Sequence, residues 1–137
     1  TNSRFLTGAL AGGVVTLLGA TLDPPLEDLG TGAALAVTLA WQAEAEMATS
    51  YRVFLHLIGP DEVAAQSDGE PANWTRPTTG WLPGEVVLDQ RVLSLPGELV
   101  AGQYRLVTGL YTVEGGRLVT PEGTDAVALG TLLIGDD

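Results

Sequence analysis

The sequence predicts an all-β fold, an antiparallel β-sandwich of about eight strands that is immunoglobulin-like or jelly-roll-like. Apolar residues recur with a period of two, which is the spacing of a strand with one buried face. Glycine, proline and aspartate separate these stretches, and no segment carries a convincing helical pattern. The 137 residues suit one domain, so residues 1–137 are interpreted as a single sandwich without internal repeats.

The amino-terminal part contains a lead-in and the first strand. Residues 1–13 are interpreted as the lead-in, which could be the end of a linker from a membrane segment. A strand is predicted over residues 14–22, and it ends at Asp23 because two prolines follow. Residues 5–22 carry no charge over the length of a short membrane span. Their glycines and threonines favour a strand, but the sequence leaves a membrane anchor open.

The central strands show the clearest alternation. Residues 33–43 place four large apolar side chains on one face: Leu35, Val37, Leu39 and Trp41. Residues 51–58 are apolar on both faces, which predicts a strand in the middle of a sheet with cover on each side. A tight turn at residues 59–62 then returns the chain into residues 63–67, the predicted partner of a hairpin.

A long polar segment, residues 68–85, divides the two halves of the chain. Four further strands are predicted after it, over residues 85–95, 102–113, 118–119 and 126–134. The strand that begins at Gly102 has a predicted buried face made of Tyr104, Leu106, Thr108 and Leu110.

Composition excludes several functions. The net charge is -11 and the six basic residues are all arginine, so the chain would repel nucleic acid and anionic lipid. The chain has no cysteine, which excludes disulfides and thiolate chemistry. Its single histidine, His56, does not provide the several ligands of a histidine metal site. No cofactor or metal is therefore predicted, although calcium binding is left open.

Several motifs carry a resemblance to a known class of domain. They are Tyr51-x-Val53-Phe54-Leu55-His56-Leu57, Ala65-Gln66-Ser67-Asp68-Gly69-x-Pro71, Arg76-Pro77-Thr78-x-x-Trp81-x-Pro83-Gly84-Glu85 with Asp89, and Leu95-Pro96-x-x-Leu99-x-x-Gly102-x-Tyr104-x-Leu106-x-x-Gly109-Leu110-Tyr111. Together they resemble the extracytoplasmic sandwich domains of bacterial multi-spanning membrane proteins. Those proteins are similar to protein-mannosyltransferase-like glycosyltransferases that use polyprenol-phosphate sugars.

The resemblance covers most of the chain, from about Val14 to Ile134. It implies an extracytoplasmic module, tethered to the membrane through a parent protein. The catalytic carboxylates of that family belong to its membrane domain, so none is carried over to this chain. The implied role is structural or acceptor-docking, and the implied partner is a glycan or the membrane domain of the same parent.

Two residues have predicted structural roles. The pattern Leu99-x-x-Gly102-x-Tyr104 resembles a tyrosine corner, in which the tyrosine hydroxyl ties a connecting loop to the sheet. His56 lies between two leucines in a predicted strand, and we interpret it as a histidine of the core or of a sheet face that is bonded to a neighbour.

The long polar segment contains the candidate ligand site. Aromatic rings stack on the apolar face of a sugar, and charged groups bind its hydroxyls. The residues with this chemistry are Trp74 and Trp81 as stacking platforms, with Asp68, Arg76 and Asp89 as polar partners. In the alternative interpretation Trp81 closes one end of the sandwich, and Asp89 pairs with Arg76 or Arg91.

A hydrolase is a remote alternative. Glycoside hydrolysis requires two carboxylates about 5–10 Å apart, and the acids considered for it are Glu70, Glu85 and Asp89. Nothing in the sequence distinguishes them from other acids. The sequence therefore favours a module without catalytic residues, with carbohydrate binding as the alternative.

Overall fold

The computed structural model describes residues 2–4, 9–10, 15–47, 50–60, 62–69, 77–112, 117 and 126–135. The strands within them are β1 Asn2–Arg4, β2 Ala9–Leu10, β3 Val15–Asp23, β4 Ala34–Ala43, β5 Arg52–Ile58, β6 Val63–Gly69, β7 Val86–Ser94, β8 Gly102–Tyr111 and β9 Val127–Ile134. Two 3-10 helices, Leu26–Asp28 and Thr78–Gly80, lie in the connections. Among these residues no helix is long and apolar enough to cross a membrane.

The strands form two antiparallel sheets, which confirms the predicted all-β class. The first sheet has the order β1-β3-β4-β7, with β2 also paired to β3, and the second has the order β6-β5-β8-β9. Buried side chains of both sheets belong to one hydrophobic cluster, as in two sheets packed face to face. Seven of the strands are long, and β1 and β2 are short additions to the first sheet.

The amino-terminal region differs from the predicted lead-in. β1 and β2 lie within residues 1–13 and both pair with β3. Residues 15–22, part of the uncharged stretch, belong to β3 and pair with β4. They are therefore part of the sheet. The strand predicted at residues 118–119 lies outside the described residues.

The predicted inner faces form the core. All four large apolar residues predicted on one face of β4 are almost completely buried. β5 lies between β6 and β8, and it directs Val53, Leu55 and Leu57 into the same cluster. Each such side chain contributes about 1.5–3 kcal/mol by leaving water. The outward residues of β5 lie on the opposite face of the second sheet.

One end of the sandwich is closed by a tyrosine contact between β8 and the loop before it. The Tyr104 hydroxyl donates to the Val100 carbonyl oxygen at 2.6 Å, which is the geometry of a tyrosine corner. The ring lies against Gly59, where an added Cβ would come within 2.5 Å of Tyr104 Cε2. Gly102 has a φ of +148° and lies against Pro60, so no larger residue fits there without rearrangement. The residues of this end therefore have structural roles.

Candidate functional site

The outer face of the second sheet brings several functional side chains together. On β5, Phe54 and His56 point away from the inner face that Val53 and Leu55 form. In the cross-strand register Asp68 of β6 and Gly109 of β8 lie on either side of Phe54. Gly109 has no side chain, so residues from farther along the chain can contact the Phe54 ring on that side.

The only histidine of the chain is bonded to a carboxylate on this face. The Asp68 carboxylate accepts a hydrogen bond from His56 Nε2, with 3.1 Å between His56 Nε2 and Asp68 Oδ1. The histidine side chain is mostly buried, whereas about one-third of the aspartate side chain is exposed (33%). The imidazole also packs on Phe54, with ring centroids 5.1 Å apart. His56 thus has the bonded sheet-face position that its sequence context predicts.

Arg117 and Tyr111 complete the group. The Arg117 guanidinium carbon lies 4.1 Å from the centroid of the Phe54 ring, a cation–π contact. The Tyr111 ring packs on Phe54 from another side at 6.3 Å, and Tyr111 forms a β-bridge with Arg117. These five residues line a cleft of about 200 Å³, which we call the His56 cleft: Phe54, His56, Asp68, Tyr111 and Arg117. The cleft combines hydrogen-bond donors, an acceptor and aromatic edges, so its chemistry is that of recognition.

Asp89 lies on the inner side of β7 and is not available to a ligand. Its side chain has an exposed fraction of 0%, and Arg91 Nε donates to Asp89 Oδ2 at 2.7 Å. The same guanidinium donates from Nη1 to the Ser67 carbonyl at 3.1 Å and from Nη2 to the Gly69 carbonyl at 3.0 Å. Because Arg91 belongs to the first sheet and both carbonyls belong to β6, these two hydrogen bonds of Arg91 join the edges of the two sheets. The Asp89 carboxylate holds the guanidinium from within β7. The predicted ligand role of Asp89 is thereby corrected to a structural one.

Trp81 also differs from its predicted ligand role. Its residue surface is 1% exposed and it belongs to the hydrophobic cluster, so neither ring face can stack on a sugar. Nearby, Thr78 accepts a hydrogen bond from the Tyr51 backbone N–H at 2.9 Å, which fixes this part of the segment to the start of β5. Trp74 and Arg76 lie outside the described residues. Of the five candidate ligand residues, Asp68 is described in a partly exposed position.

The outer face of the first sheet is a second notable surface. Val86, Leu88 and Val92 of β7 are all exposed, and Leu88 is 58% exposed. On β4 the register places Ala40 opposite Leu88 and Ala36 opposite Val92. Apart from Asp23, the outward residues that the structure describes on β3, β4 and β7 carry no charge: Thr16, Leu18, Thr21, Ala34, Ala36, Thr38, Ala40, Gln42, Val86, Leu88, Gln90, Val92 and Ser94. At its edge, beyond the end of β4, the Glu44 carboxylate accepts a hydrogen bond from the Thr16 hydroxyl at 2.7 Å. We call this surface the uncharged face.

A larger cavity of about 340 Å³ lies at the corner end of the sandwich. It is lined by Gly59, Pro60, Glu62, Ala64, Pro96, Glu98, Leu99, Val100 and Tyr104. Its walls are the turn and loop that Tyr104 ties together, so the cavity follows from the corner structure. In the part of the chain that the structure describes, no group of three or more histidine or acidic residues could hold a metal ion.

The sequence interpretation missed Phe54, Tyr111 and Arg117 as site residues, and it missed the uncharged face. The sequence did contain one signal of the site on β5. Residues 51–58 are apolar on both faces, which predicts that other parts of the chain pack on both faces of this strand. No family model matches the sequence, and no curated protein matches it.

Proposed function

We propose that this chain is a non-catalytic β-sandwich module of immunoglobulin-like topology, in an extracytoplasmic part of a bacterial membrane protein. The proposed parent resembles protein-mannosyltransferase-like glycosyltransferases, and the module has a structural or acceptor-docking role in it. The observation that carries the docking role is the uncharged face on a chain whose net charge is -11.

The immunoglobulin-like assignment is supported by strand order and by the corner. The long strands are divided into β3-β4-β7 and β6-β5-β8-β9, so the chain crosses between sheets after β4, β6 and β7. A jelly roll has eight strands in two Greek keys, whereas seven long strands are described here. In immunoglobulin-like domains the tyrosine corner lies near the start of the strand before the last, and Tyr104 has that position in β8.

The docking role follows from the distribution of charge. Solvated surfaces of an acidic domain carry carboxylates that keep it soluble and separate from other acidic surfaces. The uncharged face departs from this pattern over three adjacent strands, and it exposes Leu88 and Val92. Contiguous exposed apolar residues mark interaction surfaces. The occupant that we propose is an apolar surface of the parent's own membrane domain, because such a partner requires no compensating charge.

The non-catalytic role is supported by the use that the fold makes of Asp89. A hydrolase pair needs carboxylates that reach the substrate, and Asp89 is completely buried against Arg91. Glu85 accepts a hydrogen bond from the Leu82 backbone N–H at 2.9 Å, a local turn contact. Glu70 lies outside the described residues. In the carbohydrate alternative based on Trp74 and Trp81, Trp81 cannot act as a stacking platform, because it is also buried.

The docking role can be tested by placing a charge on the uncharged face of the intact membrane protein. Leu88→Glu is the test variant, and Leu133→Glu on β9 of the other sheet is the matched control, since Leu133 is 76% exposed. In the isolated domain we expect both variants to have the same free energy of unfolding as the unmutated domain, because neither side chain is in the core. In the intact protein, Leu88→Glu alone is expected to increase proteolysis between the module and the membrane domain. Equal sensitivity of the two variants would refute the docking role.

A further inference from the structure

We infer that the His56 cleft is a binding site for one neutral sugar ring, a hexopyranose. The cleft is lined by residues from β5, β6 and β8 together with Arg117, and it lies on the side of the sandwich opposite the uncharged face. The inference does not depend on the proposed docking role, because the two surfaces share no residue.

The polar groups of the cleft match adjacent sugar hydroxyls. A hydroxyl both donates and accepts, so it binds best between an acceptor and a donor. The partly exposed Asp68 carboxylate provides acceptor lone pairs beyond the one that His56 occupies. Arg117 carries a guanidinium, whose N–H groups are all donors, and Tyr111 carries a hydroxyl that both donates and accepts. Hydrogen bonds that involve a charged partner are the stronger ones, which favours a polyhydroxylated ligand.

The charges of the cleft argue against other ligand classes. In the described lining of the cleft, a polyanion would meet one guanidinium beside a carboxylate, on a chain of net charge -11. An organic cation would need the aromatic face of Phe54, and Arg117 already lies on that face. Among the residues of the cleft that the structure describes, a metal ion would find one imidazole and one carboxylate that are bonded to each other. A neutral polar ligand is compatible with all of these observations.

The size of the cleft suits a single sugar ring. Pockets for drug-sized ligands have volumes of about 300–1,000 Å³, whereas the His56 cleft has about 200 Å³. One pyranose can enter, and the rest of a longer glycan would extend into solvent. One face of the sugar ring would lie against Tyr111, which is partly exposed. Phe54 stays buried and supports Arg117 from below.

The test is a titration of the isotopically labelled domain, observed by two-dimensional NMR. The probes are the methyl α- and β-pyranosides of glucose, galactose and mannose, together with one disaccharide of each. We expect at least one pyranoside to shift resonances of β5, β6 and Tyr111, with a Kd near ~1 mM, as is usual for a ligand of about a dozen atoms. A disaccharide that binds within a few-fold of its monosaccharide is expected, since one ring fills the cleft.

Three variants locate the site. Asp68→Asn keeps the shape but removes the charge, and it should weaken binding about tenfold or more. Tyr111→Phe removes one hydroxyl, and its effect on binding is a second test of the site if Asp68→Asn alters the fold. Glu98→Gln makes the same carboxylate-to-amide change at the corner end and should leave binding unchanged. The inference is overturned if no pyranoside shifts these resonances in the folded domain, or if the shifts survive both cleft variants.

Discussion

Removal of the Asp89 carboxylate tests the buried ion pair that holds Arg91 where the two sheets meet. In Asp89→Ala the Arg91 guanidinium stays at a buried position, but it loses the oxygen that lies 2.7 Å from its Nε. Its contacts to the carbonyls of Ser67 and Gly69 can remain. These neutral acceptors do not compensate a buried positive charge. The variant therefore measures the free energy of a buried charge that has lost the Asp89 carboxylate.

The expected loss is large because both groups are buried. Breaking a buried ion pair from one side costs about 3–5 kcal/mol. With the usual unfolding entropy per residue, this loss lowers the Tm of a domain of 137 residues by about 10–17 °C. Replacing both partners with apolar residues of similar size, Asp89→Leu with Arg91→Met, is expected to recover part of that loss, since no charge is then left buried. Recovery is incomplete because the Ser67 and Gly69 carbonyls lose their Arg91 donor.

The assay is urea and thermal unfolding followed by circular dichroism. It is applied to Asp89→Ala and to the double-mutant cycle formed by the unmutated domain, Asp89→Leu, Arg91→Met and the double variant. Glu98→Ala is the control for loss of an exposed carboxylate, and it should change the free energy of unfolding by no more than about 0.5 kcal/mol. The cycle should give a coupling energy well above the scatter between independent sites, which is about 0.3–0.5 kcal/mol. An Asp89→Ala variant that loses less than about 1 kcal/mol, or a double variant whose loss equals the sum of the singles, would refute the reasoning.

Two further stability predictions concern Tyr104 and Trp81. Tyr104→Phe keeps the ring against Gly59 but removes the 2.6 Å bond to the Val100 carbonyl, so it should cost about 0.5–1.5 kcal/mol in urea unfolding; an unchanged midpoint would contradict the corner role. Trp81→Ala empties a fully buried position, and it should cost about 3–5 kcal/mol by the same measurement. A Trp81→Ala loss below about 1 kcal/mol would show that the indole is not part of the core.

The fold could be predicted from the sequence where a simple pattern, such as alternation, decides whether each residue is buried or exposed. β4 alternates with a period of two, and its large apolar residues are those that the structure buries. Proline and glycine mark the turns, because proline restricts the backbone dihedral angles and glycine allows more of them. The predicted strand ends therefore agree with the observed ones to within a few residues. β1 and β2 were missed because strands of three and two residues are too short to show a period.

The surfaces were harder to predict because side-chain pairing determines them. In β7 the polar residues Asp89 and Arg91 point inward as an ion pair, while Leu88 and Val92 point outward. A charge normally marks the solvent side of a strand, so the sequence pattern alone hides the uncharged face. The His56 cleft depends on the register that places Asp68 beside Phe54 and on the bridge that brings Arg117 back to Tyr111. Neither arrangement can be obtained from local sequence.

The measurement that most directly tests the proposed docking role is photo-crosslinking of the full-length protein, for which we propose a membrane domain. A photoreactive amino acid replaces Leu88 on the uncharged face in one preparation and Leu133 in the other, and mass spectrometry identifies the crosslinked peptide. We predict that position 88 crosslinks to the parent's membrane domain and that position 133 does not. Crosslinks from position 88 to a second copy of this module, or equal yields from the two positions, would contradict the account.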